Sequence, residues 1–152
     1  MENQAKILSQ LTDLFTKINF FYRPQMEALF PELSLSEIEC IEIIAKIDQP
    51  NVTKLADALY ITRGAVSKIT KKLIQKQLIA PYQEKENKKE IYFVLTKKGT
   101  EINQAHEDMH LKFLAHDRPI FSELTPEDED RIIHFLERYN THLDQAIRNN
   151  QK

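Results

Sequence analysis

The 152-residue chain contains little glycine and cysteine and no long apolar run. Gly64 and Gly99 are its only glycines, which favours long helices over a turn-rich β fold. The single cysteine, Cys40, cannot form an internal disulfide and suits a reducing cytoplasm. No apolar stretch approaches the roughly 18 residues of a membrane-spanning helix, and no cationic flank precedes an apolar block as in a secretion signal. We therefore expect a cytoplasmic, mostly helical protein.

Motifs of the common enzyme classes are missing as well. The sequence has no phosphate-binding glycine loop, no HExxH and no serine in a convincing histidine and aspartate context. Two glycines also leave little material for strained catalytic turns. The sequence predicts a protein that is not an enzyme.

The charges are unevenly distributed along the chain. Residues 61–98 hold ten Lys or Arg and three Asp or Glu, a local balance of +7, while the other 11 cations and 20 acids give −9. The two parts return the net charge of −2. Such segregation gives one surface a positive field. From charge alone, that surface is either a solvated lysine-rich face or a binding site for a polyanion.

The first half of the chain has the spacing of four helices. Apolar residues recur at three and four over residues 7–22, and Pro24 should kink or end that helix. A capping box opens the helix predicted for residues 34–47. Capping residues then begin two short helices, at 51–59 and at about 62–77.

The second half begins with a change of period. Alternation over residues 79–96 predicts a β-hairpin with a long polar tip at 84–89. A helix should then run from Thr96 to about His116 and end before Pro119, and Thr125 should cap a last helix. That last helix carries an apolar stripe close to heptad spacing: Ile132, Leu136, Tyr139, Leu143 and Ile147.

Two short helices followed by a hairpin are typical of a winged helix-turn-helix. In the first helix we expect Leu55, Ala58 and Leu59 to face inward, with Ala56 small enough for close approach. In the second, Val66, Ile69 and Leu73 form the buried stripe. The predicted fold is mainly α with a small β-hairpin, a winged helix-turn-helix with N- and C-terminal dimerisation helices.

The exposed face of the second short helix is basic and has no acid on it. Lys and Arg can reach guanine edges and phosphates in the DNA major groove, and Ser or Thr can contact either. Glycine in a helix destabilises it by up to about 1 kcal/mol relative to alanine. Close approach of the backbone to a partner would explain why glycine occupies position 64. Alternatively, Gly64 lies in the first turn, where the cost is lower and no such reason is needed. The predicted DNA-binding residues of this helix are Thr62, Arg63, Gly64, Ser67, Lys68, Lys71 and Lys72.

The hairpin tip is a second basic element. Lys85, Lys88 and Lys89 could contact the DNA backbone or minor groove beside the helix. Alternatively the tip is a solvated loop, because three nearby glutamates dilute its charge. We predict DNA contact by these three lysines.

These residues carry a family resemblance over roughly residues 33–139. The segments "LSLSEIECIEII", "VTKLADALYITRGAVSKITKKLIQKQLI", "LTKKG" and "SELTPEDEDRIIHFL" resemble the MarR family of bacterial transcription regulators. Three departures stand out. The hairpin has Asn-Lys-Lys at 87–89 where the family commonly has Asp-Arg-Arg, Gln77 stands where a glycine usually follows the recognition helix, and Pro24 lies in a helix that is usually continuous.

The resemblance implies a homodimer that binds a pseudo-palindromic operator as a repressor or, in some members, as an activator. It implies an N-terminal dimerisation helix at residues 1–32, a DNA-binding lobe at 33–97 and C-terminal dimerisation helices at 98–152. It also implies a small-molecule effector, possible chemistries being aromatic or phenolic, in a cleft whose lining residues could equally be ordinary core: Phe15, Ile18, Tyr22, Ile41, Ile44, Met109 and Phe113.

No cofactor is predicted, but two sensing alternatives stay open. His106 and His110 lie one helical turn apart and could clamp zinc, with Cys40 or Glu27 completing the shell, as zinc-sensing relatives draw ligands from the same helices. Cys40 could instead be a redox sensor, or merely buried. A further alternative is a winged-helix module that binds protein instead of DNA.

Overall fold

The computed structural model describes residues 1–151 as six helices and one two-stranded sheet. In chain order the elements are α1 (Glu2–Leu29), α2 (Leu35–Lys46), α3 (Val52–Leu59), α4 (Arg63–Gln75), β1 (Ile79–Glu84), β2 (Asn87–Leu95), α5 (Lys97–Phe121) and α6 (Pro126–Asn150). The predicted mainly helical fold with one hairpin is confirmed. The chain divides into two compact units, Met1–Leu111 and Lys112–Lys152. Among residues 1–151, no helix combines the length and apolar character needed to cross a membrane.

The helix starts follow the predicted capping residues. Ser34 and Glu37 form a capping box at α2, in which the Ser34 hydroxyl accepts from Glu37 N (3.2 Å) and Glu37 Oε1 accepts from Ser34 N (3.3 Å). Asn51 Oδ1 accepts from Lys54 N (2.9 Å) at α3. Thr125 caps α6 in a second capping box, with proline at the next position. Each cap supplies an acceptor for an amide that the helix itself leaves unpaired.

The core of the first unit lies between α2, α3, α4 and the hairpin. Its fully buried side chains come from all of these elements: Ile38, Cys40, Ile41, Leu55, Val66, Leu73, Leu78 and Ile79. Ile69 and Leu59 are partly buried and pack against this cluster. The prediction for Ala58 is wrong, because Ala58 is exposed while Ala56 is the buried alanine of α3.

The hairpin is tighter than its sequence suggests. β1 and β2 pair antiparallel, from Ile79 opposite Leu95 to Glu84 opposite Asn87. Only residues 85–86 form the turn, so the expected long tip at 84–89 is wrong. Asn87 explains the difference in part, since its side-chain oxygen accepts from Lys89 N (3.2 Å) and orders the backbone after the turn.

Two prolines lie inside helices where the sequence predicted an interruption. α1 continues past Pro24 to Leu29, so Pro24 does not end it. Gln25 Nε2 donates to Phe21 O (3.0 Å) next to the proline, whereas the carbonyl that loses its usual helical donor to Pro24 is that of Phe20. α5 continues past Pro119 to Phe121, again against the prediction.

The junction between α4, β1 and α5 depends on a close backbone approach. Thr96 N donates to Leu78 O (3.0 Å), and Thr96 Oγ1 donates to Gln77 O (2.7 Å) while accepting from Gly99 N (3.1 Å). A Cβ added to Gly99 would lie 2.0 Å from Leu78 O. Gly99 is therefore required so that the first turn of α5 can pack against the chain leaving α4.

The terminal helices keep most of their apolar side chains exposed. In α1, described throughout residues 2–29, Met26 is the one buried side chain. None of the α6 residues 126–150, all of which the structure describes, is buried. The exposed fraction ranges from 37% to 44% along four residues of the predicted α6 stripe: Ile132, Leu136, Leu143 and Ile147.

Candidate nucleic-acid interface

The exposed face of α4 carries most of the predicted DNA-binding side chains. Val66, Thr70 and Leu73 are buried on one side of the helix. On the other side the exposed residues are Arg63, Gly64, Lys68, Lys71 and Lys72, with Ser67 partly exposed. α4 has no acidic residue, so its exposed face is uniformly cationic or neutral. An α-helix with such a face fits the width of the DNA major groove.

Thr62 fixes where this face begins. Its hydroxyl oxygen accepts from Ala65 N (3.1 Å), which caps α4 and leaves the hydroxyl proton available to a further acceptor. Tyr60, just before the turn, closes α3 in the left-handed conformation with φ 54°. Tyr60 and Thr62 therefore fix the backbone at the two ends of the turn between α3 and α4.

The cations of this face have no anionic partner among residues 1–151. Within residues 1–151, none of the ion pairs involves Arg63, Lys68, Lys71 or Lys72. Lys76 differs, because its ammonium lies 2.7 Å from Glu37 Oε2. Unpaired surface cations retain their full attraction for a phosphate backbone and release its counterions on binding.

Gly64 leaves its side of α4 open. A Cβ added there would meet only Thr62 Oγ1, at 3.9 Å, apart from its immediate chain and helix neighbours. Packing within the chain therefore does not require glycine at this position, in contrast to Gly99. Close approach of the backbone to a partner molecule would require it.

The hairpin presents the predicted lysines and is fixed to the lobe. Lys85, Lys88 and Lys89 are all exposed. Asn51 Nδ2 donates to Glu90 Oε2 (3.3 Å), which directs one of the nearby acids toward the start of α3. Phe93 N donates to Pro50 O (2.9 Å), which anchors β2 to the same loop. The lysines thus extend from a wing of defined position.

Comparison with known proteins identifies the family. The sequence model described as "MarR family" matches residues 33–91. The HTH-type transcriptional regulator PchR of Bacillus subtilis (strain 168) is 29% identical over 131 residues, 85% of this chain and 78% of the relative. The chain belongs to the MarR family. This MarR-family protein is a transcription regulator and not an enzyme, as its sequence predicts. The uncharacterized HTH-type transcriptional regulator YhjH of the same organism is 31% identical over 108 residues, 71% of this chain and 53% of the relative.

Solved structures share the fold of this MarR-family protein. FabT of Streptococcus pneumoniae, solved in complex with DNA, superposes with a TM-score of 0.79 at 21% identity and covers 94% of this chain and 99% of that chain. A MarR/EmrR family regulator from Acinetobacter sp. ADP1 superposes with a TM-score of 0.72 at 21% identity and covers 93% and 97%. The winged helix-turn-helix architecture is thereby confirmed.

The residues predicted to line an effector cleft have contrasting environments. Ile41 and Ile44 are buried in the core of the lobe, and Tyr22, Met109 and Phe113 are partly buried. Phe15 and Ile18 of α1 are exposed, Phe15 by 67%. The cleft stays a prediction.

The candidate metal-binding and redox residues have different environments. Burial, reinforced by the Glu37 charge, raises the pKa of the Cys40 thiol to about 12, so at neutral pH Cys40 is a buried thiol and a poor ligand or redox sensor. Glu27 is exposed and paired with Arg23 (2.9 Å). Neither residue joins the two histidines.

Glu42, which no sequence motif points to, joins the histidines instead. One ligand atom each from Glu42, His106 and His110 lie within 4.8 Å of one another. His106 Nδ1 is buried without a hydrogen-bond partner in the described chain, 3.8 Å from Glu42 Oε2. Burial, and then the nearby His110, lower the pKa of His106, which keeps its imidazole in the neutral form that binds metals. The position of Glu42 in the sequence does not indicate this contact, because Glu42 lies in α2 and the two histidines lie in α5.

Proposed function

We propose that this MarR-family protein is a homodimeric repressor that binds a pseudo-palindromic operator through α4 and the hairpin. The observation that carries the proposal is the acid-free exposed face of α4, which lies opposite the buried Val66 and Leu73 and whose cations are unpaired in residues 1–151. α4 supplies the major-groove contacts, and the lysines of the hairpin contact phosphates. Such a role places the protein in the cytoplasm with the chromosome.

The exposed apolar faces of α1 and α6 support a dimer. A single chain leaves Leu136 and Leu143 about two-fifths exposed, at 38% and 43%. Pairing of two copies would bury such stripes, since an isologous interface joins the same surface patch of both subunits. A dimer also presents two copies of α4 to two half-sites. In this proposal residues 1–32 and 98–152 form the dimer and residues 33–97 the DNA-binding lobe.

A small aromatic or phenolic effector remains part of the proposal for the cleft residues named above.

Selection of bound sequences from a pool of random duplexes tests the function. We expect a two-fold symmetric consensus, and we expect Lys71→Ala to weaken binding to it by about 1–3 kcal/mol if Lys71 contacts a base. Lys112→Ala removes the same charge from an exposed position on α5 and should bind as the wild type does. No salt-sensitive binding to any duplex would contradict the proposal and favour a module that binds protein.

A second candidate function, metal sensing, is favoured by the cluster of Glu42, His106 and His110. Two imidazoles and one carboxylate are a common zinc ligand set, and they leave a fourth position for water or another ligand. The Glu42 carboxylate also pairs with Lys46, so a bound ion would have to replace that contact.

Zinc titration followed by calorimetry tests metal sensing. We expect one zinc ion per subunit in the wild type and loss of that binding in His110→Gln, accompanied by loss of any zinc effect on duplex affinity. His134→Gln changes an exposed histidine of α6 and is the matched control. Equal zinc binding by the wild type and His110→Gln would rule out this site.

A further inference from the structure

Lys76 lies in the basic segment but is set apart from the other cations by its contacts. It follows α4 directly, and its ammonium donates to Glu37 Oε2 (2.7 Å) and to Glu32 O (2.9 Å). Its side chain is 35% exposed, and its charge is matched by a buried carboxylate. A lysine held in this way has little charge left to attract DNA.

The Glu37 carboxylate accepts a hydrogen bond at each of its two oxygens. One oxygen accepts from Ser34 N within the capping box of α2, and the other accepts from Lys76. Burial alone would raise the pKa of the Glu37 carboxyl, but the hydrogen bonds from Lys76 and Ser34 and the Lys76 charge bring that pKa below its ordinary value. The carboxylate is therefore ionised at neutral pH, and the pair is charge-assisted.

The end of α4 is held on two sides. On one side Thr96 bonds the carbonyls of Gln77 and Leu78. On the other, Lys76 reaches the loop between α1 and α2 and the first turn of α2. The second attachment links the end of the recognition helix to the chain that leaves α1.

We propose that Glu37 and Lys76 form a strut that positions α4 for operator binding, and that Lys76 acts through Glu37 and does not contact DNA. Without the strut the C-terminal turn of α4 loses its tie to the start of α2, and the basic face no longer has one fixed orientation. The proposal rests on the proposed function, because it assigns a positioning role for the same DNA-binding surface.

Duplex affinity across a salt series distinguishes positioning from contact. The probe is the duplex recovered by the wild type from the random pool. We expect Lys76→Met and Glu37→Gln each to weaken binding by about three- to tenfold, and the double variant to be no weaker than Lys76→Met alone, because Lys76→Met already removes the contact that Glu37→Gln breaks. The salt slope should stay at the wild-type value, since no phosphate contact is lost. Glutamine at 37 can still accept from Ser34 N, so the capping box is retained.

Two further variants separate positioning from general stability. Lys76→Arg keeps a cation that can reach the same carboxylate, and we expect its affinity within about twofold of the wild type. Ile38→Val trims a buried core side chain that follows Glu37 in α2 but takes no part in the ion pair, and it should bind normally although it is less stable. A shallower salt slope for Lys76→Met would overturn the proposal by showing a direct DNA contact. Unchanged affinity in both strut variants would overturn it as well.

Amide hydrogen exchange in the DNA-free protein tests the strut independently of the proposed function. In Glu37→Gln we expect faster exchange for the amides at the end of α4, Leu73 to Leu78, and unchanged exchange in α3. Equal exchange in variant and wild type would refute the strut even if no duplex bound. Absence of duplex binding by the wild type would instead refute the proposed function.

Discussion

The lobe (residues 33–97) buries many of its apolar side chains, whereas the terminal helices α1 and α6 leave most of theirs exposed. In the lobe, Leu55, Val66 and Leu73 are fully buried among neighbours from other elements. In α6, by contrast, every residue of 126–150 that the structure describes is at least partly exposed. The lobe is therefore stabilised within one chain, whereas the apolar stripes of the terminal helices are available to a second copy. Changes in the buried core of the lobe should alter folding, and changes in the apolar stripe of α6 should alter association.

The largest expected effect is at Gly99, where the first turn of α5 packs against the lobe. Gly99→Ala would place a Cβ 2.0 Å from Leu78 O, so the start of α5 must move, and we expect a loss of about 3 kcal/mol in the free energy of unfolding. Gly64→Ala is the matched control, because a Cβ there makes only an ordinary contact with Thr62 Oγ1 at 3.9 Å. This change should be neutral or stabilising by up to about 1 kcal/mol. Urea denaturation measures both. Similar losses at the two glycines would contradict the close approach at Leu78.

The next effect concerns the terminal helices. Leu136→Glu with Leu143→Glu places two charges on the exposed stripe of α6, and we expect it to weaken dimerisation by at least about 2 kcal/mol. Sedimentation equilibrium should then detect monomers that keep the helical content of the wild type. Arg138→Glu, an exposed change outside the stripe, is the control. A double variant that remains dimeric would show that α6 does not form the interface.

The smallest effect is at the end of the recognition helix. Gln77 has φ 61°, a left-handed conformation that favours glycine. We expect Gln77→Gly to stabilise the protein by about 0.5–1 kcal/mol, since it relieves this strain. Gln75, the last residue of α4, has no positive φ, so Gln75→Gly relieves no strain and should instead cost up to about 1 kcal/mol. Thermal unfolding of the two variants gives the comparison, and a destabilised Gln77→Gly protein would argue against the strain.

Local signals explain why much of the fold was predictable. Ser34, Asn51, Thr62 and Thr125 each cap the helix that the sequence assigned to them, because a cap depends on the three residues that follow it. The basic face of α4 was also predictable, since the period of the helix separates it from the buried stripe.

The errors arose where distant or compensating contacts decide the structure. Pro119 was expected to follow the end of α5, but Ser122 Oγ donates to Arg118 O (2.9 Å) and Pro119 O (3.1 Å) and satisfies the last turn. Glu42 was missed as a partner of His106 because 64 residues separate them and packing brings them together. The roles of Gly99 and of the Glu37–Lys76 pair likewise depend on chain segments that only the folded lobe places side by side.

The central claim is that the unpaired cations of α4 meet the phosphates and bases of duplex DNA. The most direct measurement is the salt dependence of binding to the selected duplex for the wild type and for a Lys68→Ala/Lys71→Ala double variant. Each lost phosphate contact should lower the slope of log affinity against log salt by about 0.9, so the variant should bind more weakly and with a shallower slope. Coincident slopes and equal affinities would contradict the account.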